Sequence, residues 1–175
     1  MNENKLNLDD VLERARNLDD KAMTELYQFY YPKIVKFIYY RARANDAEDL
    51  AGEVFLKVIK SIKNQHGNFE AWLYKIARNV IIDKGRYMNS RPETELNNEF
   101  AQHIEDTKSV HEAIDAKLDI HHALSQVNDE QREFLIFKFI QGLNNKEIAV
   151  ITEKSIGALR AIQFRALKAL NGVIL

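Results

Sequence analysis

The sequence predicts an all-α protein of two small helical domains joined by an acidic, flexible linker. Three observations carry that expectation. The 175 residues include only 6 Gly and 2 Pro, and helix formers fill most of the remaining positions. Apolar residues recur at three- and four-residue spacing in several separate stretches. Asn and Ser residues stand at the starts of those stretches, three of them followed three positions later by Glu or Gln, which is a helix-start signature.

Residues 1–18 read as a tail or short helix. Asp19 or Asp20 caps a helix whose stripe runs through Leu26, Tyr27, Tyr30, Ile34, Phe37 and Ile38 to Arg41, with Pro32 inside it as a bending point. The aromatic set Tyr27, Phe29, Tyr30, Tyr31, Phe37, Tyr39 and Tyr40 falls mostly on this stripe and is expected in the core. Asn45 with Glu48 makes a capping box for a second helix whose apolar positions run through Leu50, Val54, Phe55, Val58 and Ile59 to about Ile62. Lys63 to Asn68 reads as a loop, and Asn68 caps a third helix. Phe69, Trp72, Leu73, Ile76 and Val80 form its inner stripe, and it is expected to end near Gly85. Periodicity fails from Tyr87 to about Val110, where Pro92 and a run of acids mark the linker, 91–112.

Regular spacing resumes at about Ala113. Asn128 with Gln131 starts a helix that stops at Gly142, Asn144 with Glu147 starts a short one, and Ser155 caps a last helix ending near Gly172. The final pair, joined by a tight turn at Thr152 to Lys154, has helix-turn-helix spacing. Ile148, Ala149, Ile156, Leu159 and Ile162 or Leu167 are expected to hold it together. The domains are therefore placed at 19–90 and 113–175.

Charge narrows the function. The net charge is only −1, but it is segregated along the chain. Ala71 to Arg91 carries Lys75, Arg78, Lys84, Arg86 and Arg91 against Asp83 alone; Pro92 to Glu130 carries ten acids against two lysines; Lys154 onward carries four bases and no acid. Two basic surfaces flanking an acidic connector suit two contacts with phosphate. Arg160 can reach a guanine edge or a phosphate and Gln163 an adenine edge, while the amides after Ser155 favour an anion. Lys75, Arg78, Asn79, Lys84 and Arg86 lie off the apolar stripe, beside a polar loop. Such a face suits single-stranded nucleic acid, with Asn presenting both donor and acceptor to an extruded base.

The absence of cysteine removes disulfides and thiolate chemistry. The five histidines lack ligand spacing, and no nucleotide-binding or nucleophile motif occurs, so neither a cofactor nor an enzyme activity is expected. Apolar runs are too short for a membrane helix and the N-terminus is no signal peptide, so a cytoplasmic protein is expected.

Four motifs in order resemble bacterial RNA polymerase sigma factors of the extracytoplasmic-function (ECF) subclass of the sigma-70 family. They are LYQFYYPKIVKF (26–37), DAEDLAGEVFL (46–56), FEAWLYKIARN (69–79), and the pair GLNNKEIA (142–149) and ALRAIQFRALKAL (158–170). The resemblance implies a factor that binds core RNA polymerase and directs it to promoters. Asp46, Glu48, Asp49, Leu50, Glu53 and Phe55 would face the clamp helices of the largest polymerase subunit. Lys63, Asn64, Gln65 and His66, with Asn79, would form the pocket for a flipped −10 base, and Lys75, Arg78, Lys84 and Arg86 would hold its strand. Ser155, Gly157, Ala158, Arg160, Ala161, Gln163, Phe164, Arg165 and Lys168 would meet −35 duplex DNA, with the second domain also at the polymerase flap. An anti-sigma factor is a further implied partner. Gly52 stands where the family usually has Gln, and Ala158, Ala161 and Ile162 replace the common Thr, Ser and Arg. The competing expectation is a helix-turn-helix regulator that binds DNA without polymerase.

Overall fold

The computed structural model describes residues 7–42, 46–89 and 119–174, with side chains described through 87 in the first part and from 119 to 171 in the second. The chain forms two compact units, Met1–Met88 and Asn89–Leu175. Among the described residues every regular element is helical. The linker expected over 91–112, the helix expected to start at Ala113, and the cap Asn45 fall wholly or partly outside those residues.

In the first unit, α1 spans Leu8–Arg16, α2 Asp20–Ala42, α3 Ala47–Ser61 and α4 Phe69–Asn89, with a 3-10 turn at Ile62–Asn64 after α3. Asp19 rather than Asp20 caps α2: its Oδ1 accepts the Ala22 N–H at 2.7 Å. The helix continues unbroken through Pro32, an exposed position where water can take the carbonyl that the missing N–H leaves free. Asn68 caps α4 as expected, its Oδ1 accepting the Ala71 N–H at 2.8 Å. That helix passes Gly85 and runs to Asn89, because a solvent-facing glycine weakens a helix without ending it.

The core of this unit is made by Val11 and Leu12 of α1, Leu26, Ile34 and Phe37 of α2, Leu50, Val54 and Val58 of α3, and Leu73, Tyr74, Ala77 and Val80 of α4. Phe37 meets Tyr74 edge to face at 5.4 Å, and Tyr30 meets Phe69 at 5.3 Å, so aromatic pairs join α2 to α4. Trp72 and Ile76 are only half-buried. Phe69, Leu73 and Val80 of the expected stripe are buried, and Ala71, Tyr74 and Ala77, rather than Trp72 and Ile76, join them on the buried face of α4.

Burial, then the charge of Glu70, pushes the Tyr30 and Tyr74 phenols far above their ordinary value of 10.0. The folded chain keeps both protonated while the unfolded chain ionises them. Their contribution to stability is therefore complete below pH 10 and lost as pH rises beyond it. Helix CD and phenolate absorbance followed together should show the last phenols ionising only as helix is lost. Ionisation of all seven tyrosines ahead of unfolding would contradict this burial.

In the second unit, α5 covers 119–125, α6 Asp129–Leu135, α7 Asn145–Thr152 and α8 Ile156–Ile174. Both expected capping boxes form. Asn128 Oδ1 accepts the Gln131 N–H at 2.9 Å, and Gln131 Oε1 accepts the Asn128 N–H at 3.3 Å. Asn144 Oδ1 accepts the Lys146 and Glu147 N–H groups at 2.9 and 3.1 Å, and Glu147 Oε2 accepts the Asn144 N–H at 2.7 Å. Each cap is worth about 1 kcal/mol. From Ile136 to Ile140 the chain widens into a π-helical turn that closes at Gly142, whose φ of +75° suits glycine. No described helix is long and apolar enough to cross a membrane.

Candidate partner and nucleic-acid interfaces

On α3 the acids divide into an outward set and a tethered set. Glu48, Asp49 and Glu53 are exposed, and Asp49 and Glu53, four residues apart, share one face. Glu53 is held by Lys57 at 3.4 Å, and Lys57 also approaches Asp83 at 3.9 Å. Asp46, at the start of the helix, pairs with Lys84 of α4 at 3.0 Å, which ties the two helices together.

The two apolar members of the expected contact set do not face outward. Leu50 is 4% exposed and Phe55 5%. Phe55 packs against Tyr27 and Tyr31 of α2 and Leu50 is equally buried, so both side chains are withheld from the surface of the free chain. Above Phe55, Tyr27 and Tyr31 stack at 4.7 Å, with Tyr27 edge-on to Phe55 at 5.0 Å. Tyr27 and Phe29 are exposed and Tyr31 half-buried, so part of the aromatic set expected in the core lies at the surface. Partial burial raises the Tyr31 phenol pKa, with smaller contributions from Tyr27, Glu48 and Asp49. Leu56 and Ile59 are also exposed, at 59% and 51%. Sequence periodicity had counted Ile59 as inner. Acids, a tyrosine pair and apolar side chains thus make the exposed surface around α3 amphipathic. At Gly52 an added Cβ meets nothing within 4 Å, so the missing side chain opens this face without relieving any clash.

Around α4, Lys63, Asn64 and His66 of the preceding loop are exposed, as are Asn79 and Arg86. Gln65 is the exception. It is 1% exposed, and its side chain accepts a hydrogen bond from Arg16 Nη2 at 2.7 Å and donates to the Gly67 carbonyl at 3.0 Å. Buried and with its amide oxygen and nitrogen both engaged internally, Gln65 is not presented to a base. At about 100° per helical residue, Trp72, Lys75, Asn79 and Arg86 share an arc of about 60°. Arg78 lies to one side, half-buried like Lys75, and Lys84 points elsewhere, towards Asp46. Trp72 is the member of this face that was assigned to the core on sequence; its partial exposure beside a lysine and an asparagine offers a stacking surface.

In the helix-turn-helix, Glu153 turns the chain with φ 58°, and the Lys154 N–H donates back to the Ala149 carbonyl at 3.2 Å. Ser155 Oγ then accepts the Ala158 N–H at 3.1 Å and starts α8. Ile148 and Ile151 of α7 and Leu159, Ile162 and Ala166 of α8 are buried. Leu167, an alternative holding residue on sequence, is exposed, and Ala149 and Ile156 are half-buried. The buried set leaves Gly157, Ala158, Arg160, Ala161, Phe164, Arg165 and Lys168 on the outer face, with Ser155 exposed at its start and Gln163 at its margin. Phe164 is 70% exposed in the middle of this basic surface. Glu130 binds Lys154 at 2.7 Å and reaches Arg165 at 4.0 Å, so α6 is tied by charge to the turn and to α8. α8 continues beyond Gly172 to Ile174.

Comparison with known proteins accounts for this order. The family model for Sigma-70 region 2 matches residues 26–90 and that for Sigma-70 region 4 matches residues 117–170. The ECF RNA polymerase sigma factor BldN of Streptomyces coelicolor is 34% identical over 172 residues, covering 92% of this chain; the chain spans 63% of BldN's length. The RNA polymerase sigma-H factor of Pseudomonas aeruginosa is 27% identical, with 92% of this chain and 90% of that one covered. In fold, the chain resembles CnrH solved with the cytosolic domain of CnrY, at TM-score 0.72 and 17% identity over 94% of each chain. It also resembles the sigma factor RpoE of Bartonella quintana solved with the anti-sigma factor NepR, at TM-score 0.66 and 21% identity, over 88% of this chain and 97% of that one. With both regions matched in order and similarity to ECF factors over most of its residues, the chain belongs to the sigma-70 family, in its extracytoplasmic-function group.

Proposed function

We propose that this sigma factor binds core RNA polymerase through the exposed face of α3 and directs it to promoters read at two elements. Domain 2, placed at 19–90, recognises and melts the −10 element; domain 4, placed at 113–175, binds the −35 duplex and the polymerase flap. The observation that carries the reading is the pairing, on one chain and in family order, of an exposed acidic α3 face with an exposed basic α8 face.

Asp49, Glu48 and Glu53, with Leu56 beside them, meet the basic clamp helices of the largest subunit; Leu50 and Phe55 support that face from inside. Lys63, Asn64, His66 and Asn79 surround the extruded non-template base, with Gln65 shaping the loop. Trp72 stacks, and Lys75, Arg78 and Arg86 follow the strand. Base capture offsets unstacking, so binding drives melting without a chemical step. Arg160, Ala161, Phe164, Arg165 and Lys168 enter the major groove, where Phe164 and Ala161 can contact thymine methyls. The acidic linker, 91–112, is repelled by DNA and suits a positively lined polymerase channel. Solved relatives are held by a cytosolic domain and by an anti-sigma factor, which supports an inhibitory protein as a third partner.

The test is transcription from fragmented bacterial DNA by core polymerase with and without the chain. Discrete new start sites sharing upstream elements are expected. Duplex binding by the chain alone, with no polymerase association, would favour the stand-alone regulator.

A further inference from the structure

The segment before α4 is held from outside the region 2 match, which begins at residue 26. Arg16, the last residue of α1, donates from Nε to the Gln65 backbone carbonyl at 3.0 Å and from Nη2 to Gln65 Oε1 at 2.7 Å. Gln65 Nε2 in turn donates to the Gly67 carbonyl at 3.0 Å, and the Gln65 N–H donates to the Ile62 carbonyl at 3.0 Å. Gly67, with φ +75°, supplies a backbone turn that a side chain would strain. Gln65 itself is extended, at φ −73° and ψ 126°, where the chain leaves the 3-10 turn. The result is one inward side chain between outward ones: Gln65 is 1% exposed while Asn64 and His66 are exposed.

We propose that Arg16 is a positioning residue for promoter reading: it latches Gln65 inward and thereby fixes Asn64 and His66 in the conformation that selects the flipped −10 base. The inference rests on domain 2 reading the −10 element through this loop. A guanidinium is suited to the role because its planar fork meets two acceptors of one residue at once. The latch is non-local, joining residues 49 apart in sequence. It makes α1 a determinant of base choice although α1 need not touch DNA.

The experiment uses full-length chains assembled with core polymerase: wild type, Arg16→Ala, Arg16→Lys, Gln65→Ala and the Arg16→Ala/Gln65→Ala double variant. Opening rates are measured on promoters carrying each of the four bases at every −10 position. Arg16→Ala is expected to compress the preference at one −10 position by about tenfold while leaving core affinity unchanged. Arg16→Lys should recover part of the preference, since an ammonium reaches one acceptor well. The double variant should be no worse than the worse single one, because both cut the same link. An Arg16→Ala chain with wild-type preference overturns the latch, as does a loss spread evenly over all −10 positions with a lowered melting temperature. If Arg16→Ala does not fold, full preference in both Arg16→Lys and Gln65→Ala overturns it equally. A wild-type chain that fails to bind core polymerase, or shows no −10 preference, removes the −10 reading itself and the latch with it.

Discussion

A chain carrying Asp49→Lys and Glu53→Lys together is expected to lose core polymerase affinity by more than about a hundredfold while keeping its helical fold. Both side chains are exposed and lie on one face of α3, so their reversal puts like charge at two adjacent points against the basic clamp helices proposed to meet it. The cost to the chain itself is small. Asp49 stands in the first turn of α3, where a carboxylate suits the helix dipole, and Glu53 pairs with Lys57 at 3.4 Å. Losing the first and turning the second into repulsion costs about 1 to 2 kcal/mol in all. Affinity measured by fluorescence anisotropy, beside thermal melting by CD, separates the two effects. Asp9→Lys with Glu13→Lys, on the exposed side of α1, makes the same change in net charge and controls for long-range electrostatics. Equal affinities for the two double variants would remove α3 from the interface.

Features with local causes were legible in the sequence. Asn68, Asn128, Asn144 and Ser155 cap helices because a short polar side chain reaches amides two or three residues ahead, which spacing alone reveals. The outward face of α8 followed equally directly once Leu159 and Ile162 were taken as inner. What could not be read was set by distant partners. Gln65 looks like any polar loop residue until Arg16 folds against it. Phe55 and Leu50 match the family's contact helix by position, but the packing of α2 decides that they point inward. Tyr27, one member of a continuous aromatic stripe, is left outside because α2 has more aromatic surface than α3 and α4 can cover. The π-turn at Ile136–Ile140 lies in an apolar run broken only by Lys138, and a single polar position does not fix a period, so an extra residue in the turn leaves no trace in the pattern.

The division of labour on α3 makes Phe55→Ala and Leu56→Ala, neighbours in sequence, opposite in their consequences. Phe55 is 5% exposed beneath Tyr27 and Tyr31, at 5.0 and 6.0 Å. Its truncation removes a buried ring, leaves a cavity where α3 packs on α2, and takes away the support of the tyrosine stack. The expected loss is about 3 to 5 kcal/mol. In a unit of this size that lowers the melting temperature by more than about 10 °C. Leu56, 59% exposed, contributes little to the fold, and its truncation should change stability by no more than about 0.5 kcal/mol. At the proposed interface it lies one turn beyond Glu53, where an apolar contact inside a charged ring excludes water, so its loss should weaken polymerase binding by about tenfold. Melting curves and core affinities for the two variants should therefore cross: Phe55→Ala less stable but, at temperatures where it is folded, still binding; Leu56→Ala fully stable but binding less. A Phe55→Ala chain that is less stable and, at temperatures where it is folded, also fails to bind would mean that Phe55 leaves the core to meet the polymerase; one that melts like wild type yet fails to bind would mean that Phe55 is not part of the free chain's core at all.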